Sequence, residues 1–249
     1  MTAQAMVAEF DDIAAWTAEA VEHLGDQHAI PAACRGSASP TALAWLAEAC
    51  ELSAGTRLLD VGAGTGGPAA WAAKRFGVRP ILLDPMPAAG RAASRLFGLP
   101  VLTADGQRIP LRADAVDVAW CLGVLCTVED KAAVLREIHR VLVPHASLGL
   151  LVVIAARPIT DPPDGNYFPM QSELVDLLDA CGFDLVEQTE RPAAVPLSWT
   201  RRAQEVTALI SARYRTHPAY TLASQQDTRL TDLFDHGHLS LQLLHAVKR

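Results

Sequence analysis

LLDVGAGTGG, running from Leu58 to Gly67, carries two glycine patterns at once. Gly62, Gly64 and Gly67 make the Gly-x-Gly-x-x-Gly spacing of a dinucleotide turn, whereas Asp60, Gly62, Gly64 and Gly66 make an acid at a strand end followed by alternating glycines. Both patterns work the same way. Glycines let the backbone bend sharply after a strand and let a ligand approach the first turn of the next helix. What separates them lies in the residues around the loop.

Outward from this stretch the chain alternates. RLLDV reads as a buried strand, PAAWAAKRF as a helix closed by Gly77, and PILLD as a second strand. AGRAASRLF then reads as a helix ended by Gly98, VLTAD and AVDVAWCL as strands, DKAAVLREIHRVL as an amphipathic helix, and SLGLLVVIA as a fifth strand. Continuous apolar strands alternating with helices predict a doubly wound, mostly parallel α/β sheet covered on both faces. SELVDLLDACG follows as a helix with Ser172 as N-cap, then FDLVEQTE as strand six and LSLQLLHAVK as strand seven. Between those last strands lies an insert with helical stretches near Trp199 to Arg215 and Ser224 to Phe234, too long for a hairpin. Ahead of the first strand, Val7 to Leu24 reads as an amphipathic helix stopped by Gly25. Asp26 to Pro40 reads as loop, and PTALAWLAEACE as a second helix. The predicted organisation is a helical cap (1–55), a cofactor-binding core (56–190), a helical lid (191–239) and a final core strand (240–249).

Asp60 falls at the carboxyl end of the first strand, where a buried carboxylate repels a pyrophosphate and favours an ammonium group. It argues against NAD and for an ammonium-bearing cofactor. Asp84 ends the second strand, seventeen residues beyond Gly67, and can accept both ribose hydroxyls. Asp105, at the tip of TADGQRIPL, can accept an adenine amino proton while Gly106 keeps the loop close. Three carboxylates at successive strand ends then share one rim.

With these residues in hand, the chain resembles the class I S-adenosylmethionine-dependent methyltransferases of the small-molecule type, the group that includes quinone and sterol methyltransferases. LLDVGAGTGGPAA, ILLDPM, TADGQRIPLRADAVDVAWCLGVL and DKAAVLREIHRVLVP carry the resemblance, which covers about Leu58 to Thr189. It implies a seven-stranded fold with an antiparallel last strand, S-adenosyl-L-methionine as cofactor and S-adenosyl-L-homocysteine as product. It further implies that Asp60, Gly62, Ala63, Gly64 and Gly66 embrace the methionine part and that Asp84 binds the ribose. By the same resemblance Pro85 and Met86 flank adenine, Asp105 and Gly106 read it, and Leu122 lines the methyl group. The implied reaction moves a methyl group to O, N or C of a small-molecule acceptor, a natural-product or quinone-like metabolite. Two departures stand out: PHAS (144–147) replaces the family's Pro-Gly-Gly turn, and Cys126 stands where many relatives have His.

An electrophilic methyl group needs chiefly an aligned nucleophile and excluded water; a base is required only for an acceptor with a high pKa. The candidate bases are His23 and His28 in the cap and His236 and His238 in DHGH. The histidine pair has metal-like spacing, but no acidic or cysteine cluster completes it, so no metal is expected. Trp16, Tyr167 and Trp199 are candidate acceptor-lining aromatics. A net charge of −7 without a basic run excludes nucleic acid as a partner, and no apolar run reaches the roughly 18 residues of a membrane span. Five scattered cysteines without a CxxC pair predict free thiols in a cytoplasmic chain. The insert can alternatively serve a homodimer interface. An NAD-dependent oxidoreductase, and a protein of this fold that binds the cofactor without transferring methyl, acting as a cyclase or a binding module, are the competing functions.

Overall fold

The computed structural model describes residues 7–34, 38–190 and 195–249. A π-helical turn, Val7–Asp12, leads into α1 (Ile13–Leu24), which stops at Gly25 with its φ of 101°. The segment expected as loop is partly helical: a 3-10 turn, Asp26–His28, runs into the short α2 (Ala29–Ala33). Pro31 is tolerated there because it lies in the first turn, where its missing N–H has no helical partner to lose. α3 (Pro40–Ala49) begins on Ser39, whose hydroxyl accepts the Ala42 N–H.

The core elements then alternate as β1 (Arg57–Val61), α4 (Gly67–Phe76), β2 (Arg79–Asp84), α5 (Pro87–Phe97), β3 (Val101–Thr103), β4 (Val116–Leu122), α6 (Lys131–Val141) and β5 (Leu142–Ala155). α7 (Gln171–Ala180), β6 (Phe183–Glu190), α8 (Leu197–Tyr214), α9 (Pro218–Asp235) and β7 (Leu239–Lys248) complete the chain. The strand order is β3-β2-β1-β4-β5-β7-β6, parallel throughout except that β7 runs antiparallel to both β5 and β6. The order reverses between β1 and β4, the topological switch point where an open α/β sheet has a ligand crevice at its carboxyl edge.

Local expectations are revised in three places. Ser172 is not the N-cap of α7: the helix starts two residues earlier, on Met170, whose N–H is taken by the Glu173 carboxylate at 2.8 Å. PHAS does not precede β5 but lies within it. The register slips between Val116 and Val118, so Leu142 and Ser147 face residues only two apart, and His145 takes a φ of 62° in the bulge. α9 starts at Pro218, six residues earlier than expected, with proline in its first turn and the His217 ring accepting the Ala219 N–H.

Strand alternation divides the core. Leu59 and Val61 join Val134, Leu135, Ile138, Leu174 and Leu178 on the α6/α7 face, while Leu58 joins Leu43, Leu46, Ala72, Leu151 and Leu243 on the α3/α4 face. Each fully buried leucine contributes about 1.5–3 kcal/mol. This periodicity sends Asp60 to the same side as Leu58, toward the start of α4. The cap and the insert meet above the sheet's carboxyl edge: Trp16 stacks on Tyr214 with centroids 4.2 Å apart, and the Tyr214 hydroxyl donates to Glu19 at 2.5 Å.

Candidate cofactor and acceptor site

Asp60 is 1% exposed. One side of its carboxyl meets the Ala69 N–H in the first turn of α4, while Oδ2 is buried without any hydrogen-bond partner. Burial, reinforced by the nearby Asp84 carboxylate, pushes its pKa up to about 7 against that one N–H bond. An acceptor left unsatisfied inside a protein is costly, and a carboxylate at this strand end has room for one more donor.

Asp84 is also buried, but its oxygens are occupied. Oδ2 accepts the Gly64 N–H at 2.7 Å and Oδ1 the Met86 N–H at 2.8 Å. Burial raises its pKa, and the two N–H groups oppose the rise. The second acid thus ties the glycine loop to the end of β2, and each carboxylate oxygen keeps a lone pair beyond the one so used.

The glycines divide by purpose. A Cβ on Gly62, at φ +68°, would sit 2.2 Å from Val124 Cγ2, so the loop can lie against the segment after β4 only because this residue lacks a side chain. Gly67 serves the cap instead: its Cβ would come within 2.5 Å of the Ala33 carbonyl carbon at the end of α2. The Ala33 oxygen also accepts the Thr65 hydroxyl at 3.1 Å. The glycine that completes the dinucleotide spacing is therefore explained by packing against the cap.

Ala63 is buried beneath the loop. Pro85 is exposed, and Met86 is half-buried as the N-cap of α5, packed with Ala14 and Ala18 of α1. Asp105 is exposed two residues past β3, with Oδ1 accepting the Gln107 N–H. Gly106 is buried against Val61. Leu122, half-buried, ends β4 beside the switch point. Asp60, Asp84 and Leu122, with the glycine loop, all lie at the carboxyl ends of neighbouring strands.

Asp11 was not singled out in the sequence. Its carboxylate accepts the Ala88 and Ala89 N–H groups at 2.5 and 3.1 Å, capping α5 from the chain's first turn. Only a partner 77 residues away reveals this role, and no local pattern encodes it.

The histidine candidates separate. His28 is 5% exposed and fully engaged: Nδ1 meets the Gly25 carbonyl at 3.1 Å and Nε2 the Glu205 carboxylate of α8 at 2.6 Å. It bolts cap to insert. His23 is exposed on the last turn of α1. His236 and His238 stack 6.2 Å apart, with His236 Nδ1 against the Asp232 carbonyl and His238 near Arg157. Among the described residues no group of three His, Cys, Asp or Glu could hold a metal.

The aromatic candidates are not brought into one pocket. Trp16 packs in the cap–insert core, and Trp199 packs against the α3/α4 face. Tyr167, 41% exposed, lines a cavity of about 540 Å³ between the start of α6 and the segment after β5, with Lys131, Ile159, Phe168 and Met170. The Tyr167 N–H donates to the Cys126 carbonyl at 2.7 Å, which anchors that segment to the loop after β4. The Lys131 ammonium lies 5.7 Å from the Tyr167 ring centroid and donates to the Val128 carbonyl; burial lowers its pKa. All five cysteines are buried and none forms a disulfide, and Cys34 and Cys121 have thiol pKa values raised by burial and by the Asp60 charge.

This strand order, with its antiparallel β7 and a glycine loop at the switch point, is the Rossmann-like methyltransferase fold. Residues 59–150 match the family model described as a methyltransferase domain. The chain is 29% identical over 127 residues to methyltransferase GfsG of Streptomyces halstedii, covering 47% of this chain and 44% of that protein. It is 31% identical over 119 residues to a glycine/sarcosine/dimethylglycine N-methyltransferase of Actinopolyspora halophila, covering 45% of this chain and 21% of that one. The chain thus spans less than half the length of the curated relatives it matches. Among solved structures, the [4+2]-cyclase SpnF superposes with a TM-score of 0.67 at 25% identity, covering 83% of this chain and 79% of that one. No helix among the described residues is long and apolar enough to cross a membrane.

Proposed function

We propose that the protein is a cytoplasmic S-adenosylmethionine-dependent methyltransferase acting on a small-molecule acceptor, with residues 1–55 as its cap and 191–239 as its lid. The observation that carries this reading is the buried, unpartnered Oδ2 of Asp60 beside the glycine loop, which suits the ammonium of the cofactor's methionine part. Gly62, Ala63, Gly64 and Gly66 would cradle that part, Asp84 the ribose, and Pro85, Met86, Asp105 and Gly106 the adenine. The cofactor, when bound, supplies an electrophilic methyl group. The chain's own task is to hold the acceptor in line and to keep water out, which the Trp16–Tyr214 and His28–Glu205 contacts serve by closing cap onto lid.

The cavity bordered by Tyr167 is the proposed acceptor site, since it lies between the start of α6, which follows β4, and the segment that follows the carboxyl end of β5. Its volume, with Ile159, Phe168 and Met170 beside the charged Glu129, Lys131 and Glu173, suits a small natural-product or quinone-like metabolite that carries polar groups. His28 is spent on Glu205, so no base is assigned from the cap. The test is incubation of the full chain with S-adenosylmethionine and a panel of phenolic, quinone and amine metabolites, followed by mass spectrometry. A gain of one CH₂ on an acceptor supports the reading, and recovery of every acceptor unchanged argues against transfer.

A second reading has a specific observation in its favour: the similarity to SpnF, a [4+2]-cyclase, extends over 83% of the chain. In that case the cofactor site is kept and the cavity shapes a cyclising substrate. Cofactor binding without methyl transfer would point to it.

A further inference from the structure

Asp60 sits in a setting that no ionised carboxylate would adopt alone. The groups facing it come from every element packed around it: the Asp84 carboxylate on β2, the Cys34 thiol after α2, the Cys121 thiol on β4, and the Ala69 N–H of α4. The Ala69 N–H is the donor whose hydrogen bond the Asp60 carboxyl accepts, and among the described residues no lysine or arginine makes an ion pair with Asp60. A second carboxylate close by makes matters worse, because the Gly64 and Met86 N–H groups favour charge on Asp84. With Oδ2 buried and unpartnered, the inexpensive state of Asp60 in the empty site is the neutral acid.

The proposed cofactor changes this balance, and the inference rests on that reading of the site. Its methionine part carries an ammonium, which favours the ionised acid at short range. We propose that Asp60 holds a proton in the cofactor-free protein and gives it up to solvent when the cofactor's ammonium arrives, so that cofactor binding is coupled to proton release and tightens as pH rises. The loop makes the coupling specific to one group. Asp84 differs in that two N–H groups, of Gly64 and Met86, already support its charge in the cofactor-free site.

The burial that pushes the Asp60 pKa up to about 7 places the effect near neutrality. The free form is protonated below that pH and the bound form is not, so binding weakens as pH falls. The affinity lost approaches tenfold per pH unit below about pH 7, and the dependence flattens above it.

The test is calorimetric titration of the full chain with S-adenosylhomocysteine in phosphate, PIPES and imidazole buffers, whose different ionisation heats report the protons released. The expected release is close to one proton per site at pH 6, about half at pH 7 and roughly a tenth at pH 8. Asp60→Asn should bind more weakly and release none. Binding whose heat does not vary with buffer at pH 6 and 7, or an Asp60→Asn protein that still releases a proton, overturns the proposal. If the variant binds too weakly to titrate, the wild-type affinity between pH 5.5 and 8 decides: a flat profile overturns the proposal. A wild-type chain that binds no S-adenosylhomocysteine at any pH overturns the cofactor reading and the proposal with it, a result distinct from binding without proton release.

Discussion

The Asp84 carboxylate holds the Gly64 N–H at 2.7 Å, so the acid that ends β2 also sets the shape of the loop that ends β1. Its second oxygen holds the Met86 N–H at the start of α5. Asp84→Ala therefore frees two backbone donors and removes the proposed ribose partner. Hydrogen bonds to a charged group are worth about 1.5–3 kcal/mol each, which corresponds to a roughly tenfold to hundredfold loss of S-adenosylhomocysteine affinity. Calorimetry should show that loss while circular dichroism retains the native helix content. Unchanged affinity would refute the ribose assignment.

Asp60 predicts a conflict between stability and binding. Its pKa is raised on folding, so the native chain binds more protons than the unfolded one between about pH 4 and pH 7. The stability this contributes is complete below the unfolded pKa and is lost as pH rises through about 7. Asp60→Asn keeps the shape and an oxygen for the Ala69 N–H but never ionises. Without cofactor, the variant should be more stable than wild type at pH 8 by a few kcal/mol, and the gap should close as pH falls to about 4. Urea unfolding at the two pH values measures it; a variant less stable than wild type at pH 8 would contradict the burial argument.

Gly64 and Gly67 lie three residues apart and should respond differently to alanine. A Cβ on Gly64 meets nothing within 4 Å, and only its φ of +54° is penalised, at about 1–2 kcal/mol. On Gly67 the Cβ runs into the Ala33 and Cys34 backbone, which cannot rotate away. Gly67→Ala should displace α2 and cost about 1–3 kcal/mol. Hydrogen exchange would register it as lost protection in residues 29–33, a loss that Gly64→Ala should not produce.

Trp16 and Tyr167 are both aromatic candidates for the acceptor site, and the fold assigns them different consequences. Trp16→Ala removes a buried ring stacked on Tyr214 and should cost about 3–5 kcal/mol of stability. Tyr167→Ala, at a half-open cavity wall, should leave the melting temperature within a degree or two by the usual behaviour of exposed sites, while raising the acceptor KM several-fold. Thermal melts and acceptor titrations on both variants separate packing from recognition.

The sheet was legible because its signals are local. RLLDV, PILLD and AVDVAWCL are apolar runs that end where glycine or an acid turns the chain, and Gly77 and Gly98 stop helices by adopting left-handed backbone. The buried place of Asp60 near the end of β1 was legible too, since a lone acid in an apolar strand stands out. The cap was harder to read. Ala-rich α2 has no periodic contrast, and its place is set by Gly67 and Thr65, more than thirty residues away. His28 looked like a free loop imidazole because Glu205 lies 177 positions further along the chain. Ser172 had the right chemistry for an N-cap, but Glu173 reaching back to the Met170 N–H fixed the helix start two residues earlier than a serine cap would allow.

The central claim is that the crevice between β1 and β4 takes a methionine-bearing nucleoside rather than a dinucleotide. Parallel calorimetric titrations of the full chain with S-adenosylhomocysteine and with NADH at pH 8 test it most directly. The expected result is saturable one-to-one binding of S-adenosylhomocysteine and no heat from NADH. Saturable NADH binding with no response to S-adenosylhomocysteine would contradict it.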